Sequence, residues 1–373
     1  MKSLQNVLAL VPDCHTPPNY LHLAWRRHIY EGMRPHLRRL IIPEELDFKW
    51  ARQGHDVDLA PYEKERINRS ERLLESIKTA HREHGLDAVF SYCYSFDLVL
   101  DVVKETIRMG IPWINFFCDS MHMFEKVEAL ARLVSLNWFT ESAAIPRYKA
   151  LGVPFLCAPY AWNPDWLPDL ANRDVLRSAV FIGFPSSNRI TQLGYLRLLG
   201  CPVEIRGRGW TGDGPSPFYS PIPARQRFLK AVFQPNFSEK IIRRLVWPLV
   251  RPMAHGILSD AEFGGYIKDS LIILGLNQGK DAQGRFTSYL KYRDMEFPGH
   301  GCCYLTEDNE DIHQVFEVGK EVLTYKNPFE ASARIRHLRK HPEIAREIGR
   351  AGRRRILDGH GWNIRLKQIE QSL

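Results

Sequence analysis

The chain contains no run of about 18 apolar residues, the length a helix needs to cross a bilayer, so no spanning segment is expected. Its opening residues, Met1 to Pro12, carry a hydrophobic stretch broken by Gln5 and Asn6 and no small-residue cleavage site, which reads as a first strand and not a signal peptide. None of the seven cysteines (Cys14, Cys93, Cys118, Cys157, Cys201, Cys302, Cys303) forms a Cys-x-x-Cys pair. Odd in number and mostly set in apolar segments, they suit a reducing cytosol and argue against a disulfide framework or structural zinc. Zinc fingers, RNA-recognition signatures and basic-leucine repeats are missing, as are internal repeats and low-complexity tracts. The formal charge of +8 therefore points to a phosphorylated or membrane-borne anion more than to nucleic acid.

What is present fits an ordinary globular protein: 373 residues, 44% hydrophobic and 25% charged. That length exceeds a single core of usual size and implies two domains. Strand and helix patterns alternate: strands at 7–11, 88–91, 113–117, 138–140 and 155–158, then 179–184, 203–206, 271–276 and 302–305. Helices are expected over 21–37, 67–84, 96–109, 287–295, 328–340 and 342–357. Alternation of this kind predicts α/β layers around mainly parallel sheets. The proline- and aromatic-rich stretch from Tyr160 to Pro168 marks a boundary, giving domains at 1–165 and 166–355 and a helical segment at 356–373. Residues 210–257 read as an insertion.

The densest chemistry lies in Arg293-Asp294-Met295-Glu296 followed by Pro298-Gly299-His300-Gly301 and a strand ending in Thr306-Glu307. An arginine and a carboxylate at one helix end suit opposite ends of one ligand: Arg293 for an anionic group, Glu296 for a vicinal diol. A ribose diphosphate carries both. The alternative is that Glu296 merely pairs with Arg293 or Lys291.

From Arg293 to Trp362 the chain resembles the C-terminal signature of CgeB-like glycosyltransferases, relatives of the group-1 transferases. The pieces are the Arg-x-x-Glu segment, Phe316-Glu317-Val318-Gly319-Lys320-Glu321, Leu323-Thr324-Tyr325, Ala351-Gly352-Arg353 and His360-Gly361-Trp362. Further likenesses at Cys118-Asp119-Ser120, Tyr148-Lys149-Ala150-Leu151-Gly152, Phe181-Ile182-Gly183 and Gly207-Arg208-Gly209-Trp210 extend the match over about 110–365. The resemblance implies a GT-B fold, α/β with two Rossmann-like domains facing each other across a cleft. It implies a nucleotide diphosphate sugar as donor substrate, no separate cofactor, and Glu296 on the ribose. Retaining members often carry a second glutamate eight residues earlier; here that position is Ser288, which leaves the stereochemical outcome open.

Donor-side candidates are Gly183 and Arg189 in a strand-to-helix turn, whose bland reading is a cap by Ser186 or Ser187, and Thr287 and Ser288 at an expected helix start. Arg293, Asn277 after its strand, and Arg208 beside the base complete the set, with Trp210 better suited to packing. Asp119, past an apolar strand, and His122 three residues on are the candidate acid–base pair; the plain alternative is a helix cap and a half-buried histidine. His15 is a rival. No metal is expected: Asp56-Val57-Asp58 has the spelling of a GT-A metal motif but sits in a polar loop. Residues 241–253 mix apolar side chains, an indole and arginines, which suits either packing or peripheral contact with an anionic membrane at its inner face and a lipid-linked or other glycan acceptor. Rival functions are a GT-B epimerase and a catalytically silent nucleotide- or glycan-binding protein.

Overall fold

The computed structural model describes residues 3–11, 25–43, 63–166, 177–211, 245–280 and 286–373. His15 and Asp56-Val57-Asp58 lie outside them. Two compact units emerge: Met1–Pro168 with Gly279–Tyr292 and Ile356–Leu373, and Asp169–Gln278 with Arg293–Arg355. The last helix, Trp362–Ser372, belongs to the first unit, and so does the excursion between the two halves of the second.

Unit 1 is built on a six-stranded parallel sheet: β1 Asn6–Leu10, β2 Arg39–Ile41, β3 Ala88–Ser91, β4 Trp113–Phe116, β5 Leu136–Phe139 and β6 Phe155–Cys157, in the order β2-β1-β3-β4-β5-β6. Every residue of β3, β4 and β5 is buried, as expected of parallel strands covered on both faces. Helix α1, Glu63–His84, lays Ser70, Leu73, Ile77 and Ala80 against the sheet, a spacing of three and four that keeps them on one face. Within the sheet Asn115 Oδ1 accepts from Ser91 Oγ at 2.7 Å and Cys93 N at 3.0 Å, and its Nδ2 donates to Cys93 O at 3.1 Å. The helix expected over 96–109 is shorter, α2 Asp101–Arg108. Asp97 is the reason: its carboxylate accepts from Tyr94 N at 2.7 Å and its own N–H returns to Tyr94 O, holding a turn that delays the helix. The stretch 25–36 is helical but irregular, with π and 3-10 turns.

Unit 2 carries a five-stranded parallel sheet of β7 Arg177–Ile182, β8 Glu204–Arg206, β9 Ser270–Leu274, β12 Cys303–Glu307 and β13 Leu323–Tyr325, in the order β13-β12-β9-β7-β8. Between β9 and β12 the chain makes a small antiparallel pair, β10 Gly279–Lys280 with β11 Phe286–Thr287. Trp247 stacks on the buried Trp210 with centroids 5.9 Å apart, and Val250 is fully buried, while Leu245 is 72% exposed. The described part of the apolar–basic segment thus packs largely on the core of unit 2; residues 241–244 lie outside it.

The arginine-rich helix α6, Pro342–Gly359, is more than a solvated face. (Helices α3 to α5 are Ser120–Ala131, Ser187–Leu198 and Tyr292–Gly299.) Arg353 Nη1 donates to Gly299 O at 2.6 Å and Arg355 pairs with Glu321 at 2.9 Å. Gly349 sits so close to the turn before β12 that a Cβ there would stand 2.2 Å from Gly301 O. Replacing Gly349 with alanine should therefore cost about 1–3 kcal/mol as an overpacked contact against backbone. A thermal melt in which the variant matches the parent would contradict that packing.

Candidate functional site

In unit 2 the strand order reverses between β7 and β9, since β8 lies on one side of β7 and β12 and β13 lie beyond β9. Connections leaving a switch point in opposite directions open a crevice at the carboxyl ends of the strands. The backbone past β7 occupies this place. A Cβ on Gly183 would stand 3.0 Å from Arg293 Nη1, and Arg293 Nη1 donates to Ile182 O at 3.1 Å. From the other side, a Cβ on Gly207 would fall 2.3 Å from Gly183 O, and the φ of +140° at Gly207 already favours glycine. Trp210 Nε1 donates to Gly183 O at 2.6 Å. Its indole is buried and committed to packing.

Ser186 caps α4, accepting from Arg189 N at 3.3 Å. The Arg189 side chain then bends back across two strand ends, donating Nη1 to Phe184 O at 2.8 Å and Nε to Leu276 O at 3.0 Å. Two guanidinium groups, Arg189 and Arg293, therefore meet the Gly183 loop. Arg208 is half-buried in the neighbouring glycine turn.

Beneath the loop lies Glu307, at the end of β12. Its Oε2 accepts from the backbone N–H groups of Asn277 at 2.5 Å and Gln278 at 2.6 Å, and Oε1 accepts from Gln192 Nε2 at 2.8 Å. Burial pushes this carboxyl up to about 7, against the pull of those N–H groups and of Arg189. Asn277, expected to face a ligand, instead turns inward: its Nδ2 donates to Asp294 Oδ1 at 2.6 Å and reaches Tyr304 OH and Thr306 Oγ1 at 3.3 Å. The reason is Asp294, fully buried on α5, which needs donors. Glu296, on the same helix, is 3% exposed.

Thr287 and Ser288 do not open a helix. Phe286 and Thr287 form a short strand paired with Gly279 and Lys280, and helix α5 begins only at Tyr292. The N–H groups of a helix start are therefore not available at these two residues, and the phosphate role given to them on that ground falls.

Unit 1 gathers a second set of charged groups. Asp119 precedes α3 but makes no side-chain cap. It accepts instead from Lys291 Nζ at 2.9 Å, and Lys291 also bonds the Tyr289 hydroxyl. Burial disfavours the ammonium, yet Asp119, Tyr289 and Glu141 outweigh it and raise the Lys291 pKa above its ordinary value. The His122 ring packs on Tyr289 with centroids 4.7 Å apart, and a Cβ on Gly279 would lie 2.5 Å from His122 Nε2. Glu141, fully buried just past β5, is held well above the usual carboxylate range by burial, with Lys291 opposing and Asp119 adding to the shift. Among the described residues no group of three or more His, Cys, Asp or Glu is placed to hold a metal ion. No helix among them is long and apolar enough to cross a membrane.

Lys291, Glu141, Asp294 and Glu307 were missed as site residues by sequence reasoning. Glu141 and Glu307 had one available signal, a carboxylate at or just after the end of an apolar strand, the same signal that singled out Asp119.

Because Glu307 holds its proton more tightly folded than unfolded, its contribution favours the folded state below about pH 4.5 and is lost as pH rises towards 7. Glu307→Gln keeps an acceptor for the two N–H groups without ionising. Thermal melts from pH 4.5 to 8 should show a smaller decline on the alkaline side for the variant than for the parent; parallel curves would exclude this assignment.

Residues 196–371 match a family model described as glycosyl transferase-like. No curated protein sequence matches the chain. Among solved structures, a glycosyltransferase from Rickettsia africae superposes with a TM-score of 0.59 at 12% identity, covering 99% of this chain and 98% of that one. The sucrose-phosphate synthase of Thermosynechococcus elongatus gives 0.58 at 11% identity over 98% of each chain. Anabaena HepE, solved in complex with UDP-glucose, gives 0.57 at 10% identity over 98% of this chain and 100% of its own. The protein has the GT-B fold of glycosyltransferases, and its C-terminal half is similar in sequence to a glycosyl transferase-like family.

Proposed function

We propose that the protein is a glycosyltransferase of the CgeB-like branch, moving a sugar from a nucleotide diphosphate sugar to a hydroxyl of a glycan, lipid-linked or protein acceptor. The observation that carries this reading is the turn at Gly183, at the switch point of unit 2, met by Arg189 and Arg293. Phosphate oxygens accept strongly from guanidinium groups, and Arg293 uses one of its five N–H donors on Ile182 O. The family match over 196–371 includes this arginine and Glu296.

In this reading Arg189 and Arg293 offset the charge of the departing diphosphate without a metal ion, which lowers the barrier at the leaving group. Glu296 accepts from the ribose hydroxyls, and Arg208 lies to the side of the base. Asp119, three residues before His122, takes the proton from the acceptor hydroxyl. Peripheral contact with a membrane's inner face would suit a lipid-linked acceptor in the cytoplasm. HepE was solved with UDP-glucose, so uridine diphosphate sugars are the first donors to try.

Thermal-shift measurements with UDP, GDP, dTDP and CMP derivatives should single out one nucleotide, because a ligand of the native state raises apparent stability by mass action. Arg293→Ala should weaken the preferred nucleoside diphosphate about tenfold or more, in line with the ~1.5–3 kcal/mol of a hydrogen bond to a charged group. Its effect on the free nucleoside should be slight. Glu296→Ala should weaken both. A folded parent that is stabilised by none of the nucleotides defeats the proposal.

A further inference from the structure

The cap of α3 is unusual. An aspartate at the position before a helix normally accepts the N–H of the second or third helical residue. Here Asp119 occupies that position, yet the N–H of Met121, the second helical residue, goes to Glu141 Oε2 at 3.3 Å. Glu141 reaches it from the adjacent strand end, since β4 and β5 are paired and Phe116 lies opposite Trp138. The same helix start is pinned twice more, by Arg147 Nη1 on Ser120 O at 3.1 Å and by a Ser120 Oγ–Tyr148 OH bond of 3.0 Å. With its usual partner taken, the Asp119 carboxylate is directed to Lys291.

We propose that Glu141 is a positioning residue: by taking the helix-start N–H in place of Asp119, it delivers the Asp119 carboxylate to Lys291 and sets both groups for acceptor-side chemistry. The inference rests on the transferase reading for its chemical purpose, and on the hydrogen bonds alone for its geometry. Glu141 Oε1 is buried and has no hydrogen-bond partner among the described residues. An ionised carboxylate is costly in that state; burial favours the neutral acid, whose Oε2 still accepts from Met121 N. The groups facing it are Lys291 and Asp119, the hydroxyls of Tyr148, Tyr160 and Tyr289, and the backbone of Ser120 and Met121. When pH rises far enough to ionise Glu141, a second carboxylate competes for Lys291 and draws it from Asp119.

Two variants separate positioning from simple support. Glu141→Ala removes the acceptor and lets Asp119 revert to capping, whereas Glu141→Gln keeps a neutral acceptor of the same length. In the full chain, with folding checked by circular dichroism, acylation of Lys291 read by peptide mass spectrometry should be several-fold faster in the alanine variant. The glutamine variant should restore most of the protection. Transfer to the acceptor should follow the same order, with the loss in kcat and not in the KM for donor. The alkaline decline of the pH–rate profile should be absent from the glutamine variant. Unchanged labelling of Lys291 in a folded alanine variant overturns the inference, as does a glutamine variant that loses as much as alanine. Should the parent bind no nucleotide, the transferase reading fails while the labelling experiment still decides the role of Glu141.

Discussion

In each unit a buried glutamate from one strand end holds the backbone that leaves the neighbouring strand. Glu307, closing β12, takes the N–H groups of Asn277 and Gln278 beyond β9. Glu141, past β5, takes the N–H of Met121 beyond β4. A parallel sheet satisfies peptide groups only along its strands, so the first N–H groups past the end need another acceptor. A side-chain carboxylate from the next strand supplies one without covering the crevice above. The cost is a carboxyl group kept out of water, and both glutamates are shifted towards the protonated form by that burial. The backbone at Asn277–Gln278 and the helix start after Asp119 are held by these braces.

Much of the scaffold was legible in the sequence, because local pattern and tertiary burial agree there. Ala88–Ser91 is apolar or small throughout, Trp113–Phe116 is apolar but for Asn115, and both are buried throughout. The helix at Glu63–His84 shows its buried face in its spacing, and Asn327-Pro328 announces the start of the next to last long pair of helices by cap and proline. The strand-to-helix turn at Gly183 was also legible, and so was its cap by Ser186. The reading failed where a distant partner overrode a local signal. Thr287-Ser288 looks like a helix start, but Phe286 and Thr287 form a short strand paired with Gly279 and Lys280. Asn277 looks exposed after its strand, but Asp294, seventeen residues on, turns it inward. The Lys291–Asp119 pair spans 172 positions, and no local pattern marks either residue for the other.

The excess of positive charge resolves into distinct uses. Arg353 and Arg355 are structural, tying α6 to Gly299 and Glu321. Arg147 fixes the start of α3. Arg189 and Arg293 combine both roles, anchoring strand-end carbonyls while keeping the guanidinium plane beside the Gly183 loop. A guanidinium can do this and an ammonium cannot, because its five donors point in fixed and different directions. Net charge alone, read from composition, does not distinguish these uses.

The bond from Trp210 Nε1 to Gly183 O has an optical consequence. Indole emission responds to the polarity and hydrogen bonding at its nitrogen, and this nitrogen is tied to a carbonyl of the Gly183 turn at the switch point of unit 2. A displacement of that turn would therefore shift the light given off by this one indole, one of nine in the chain.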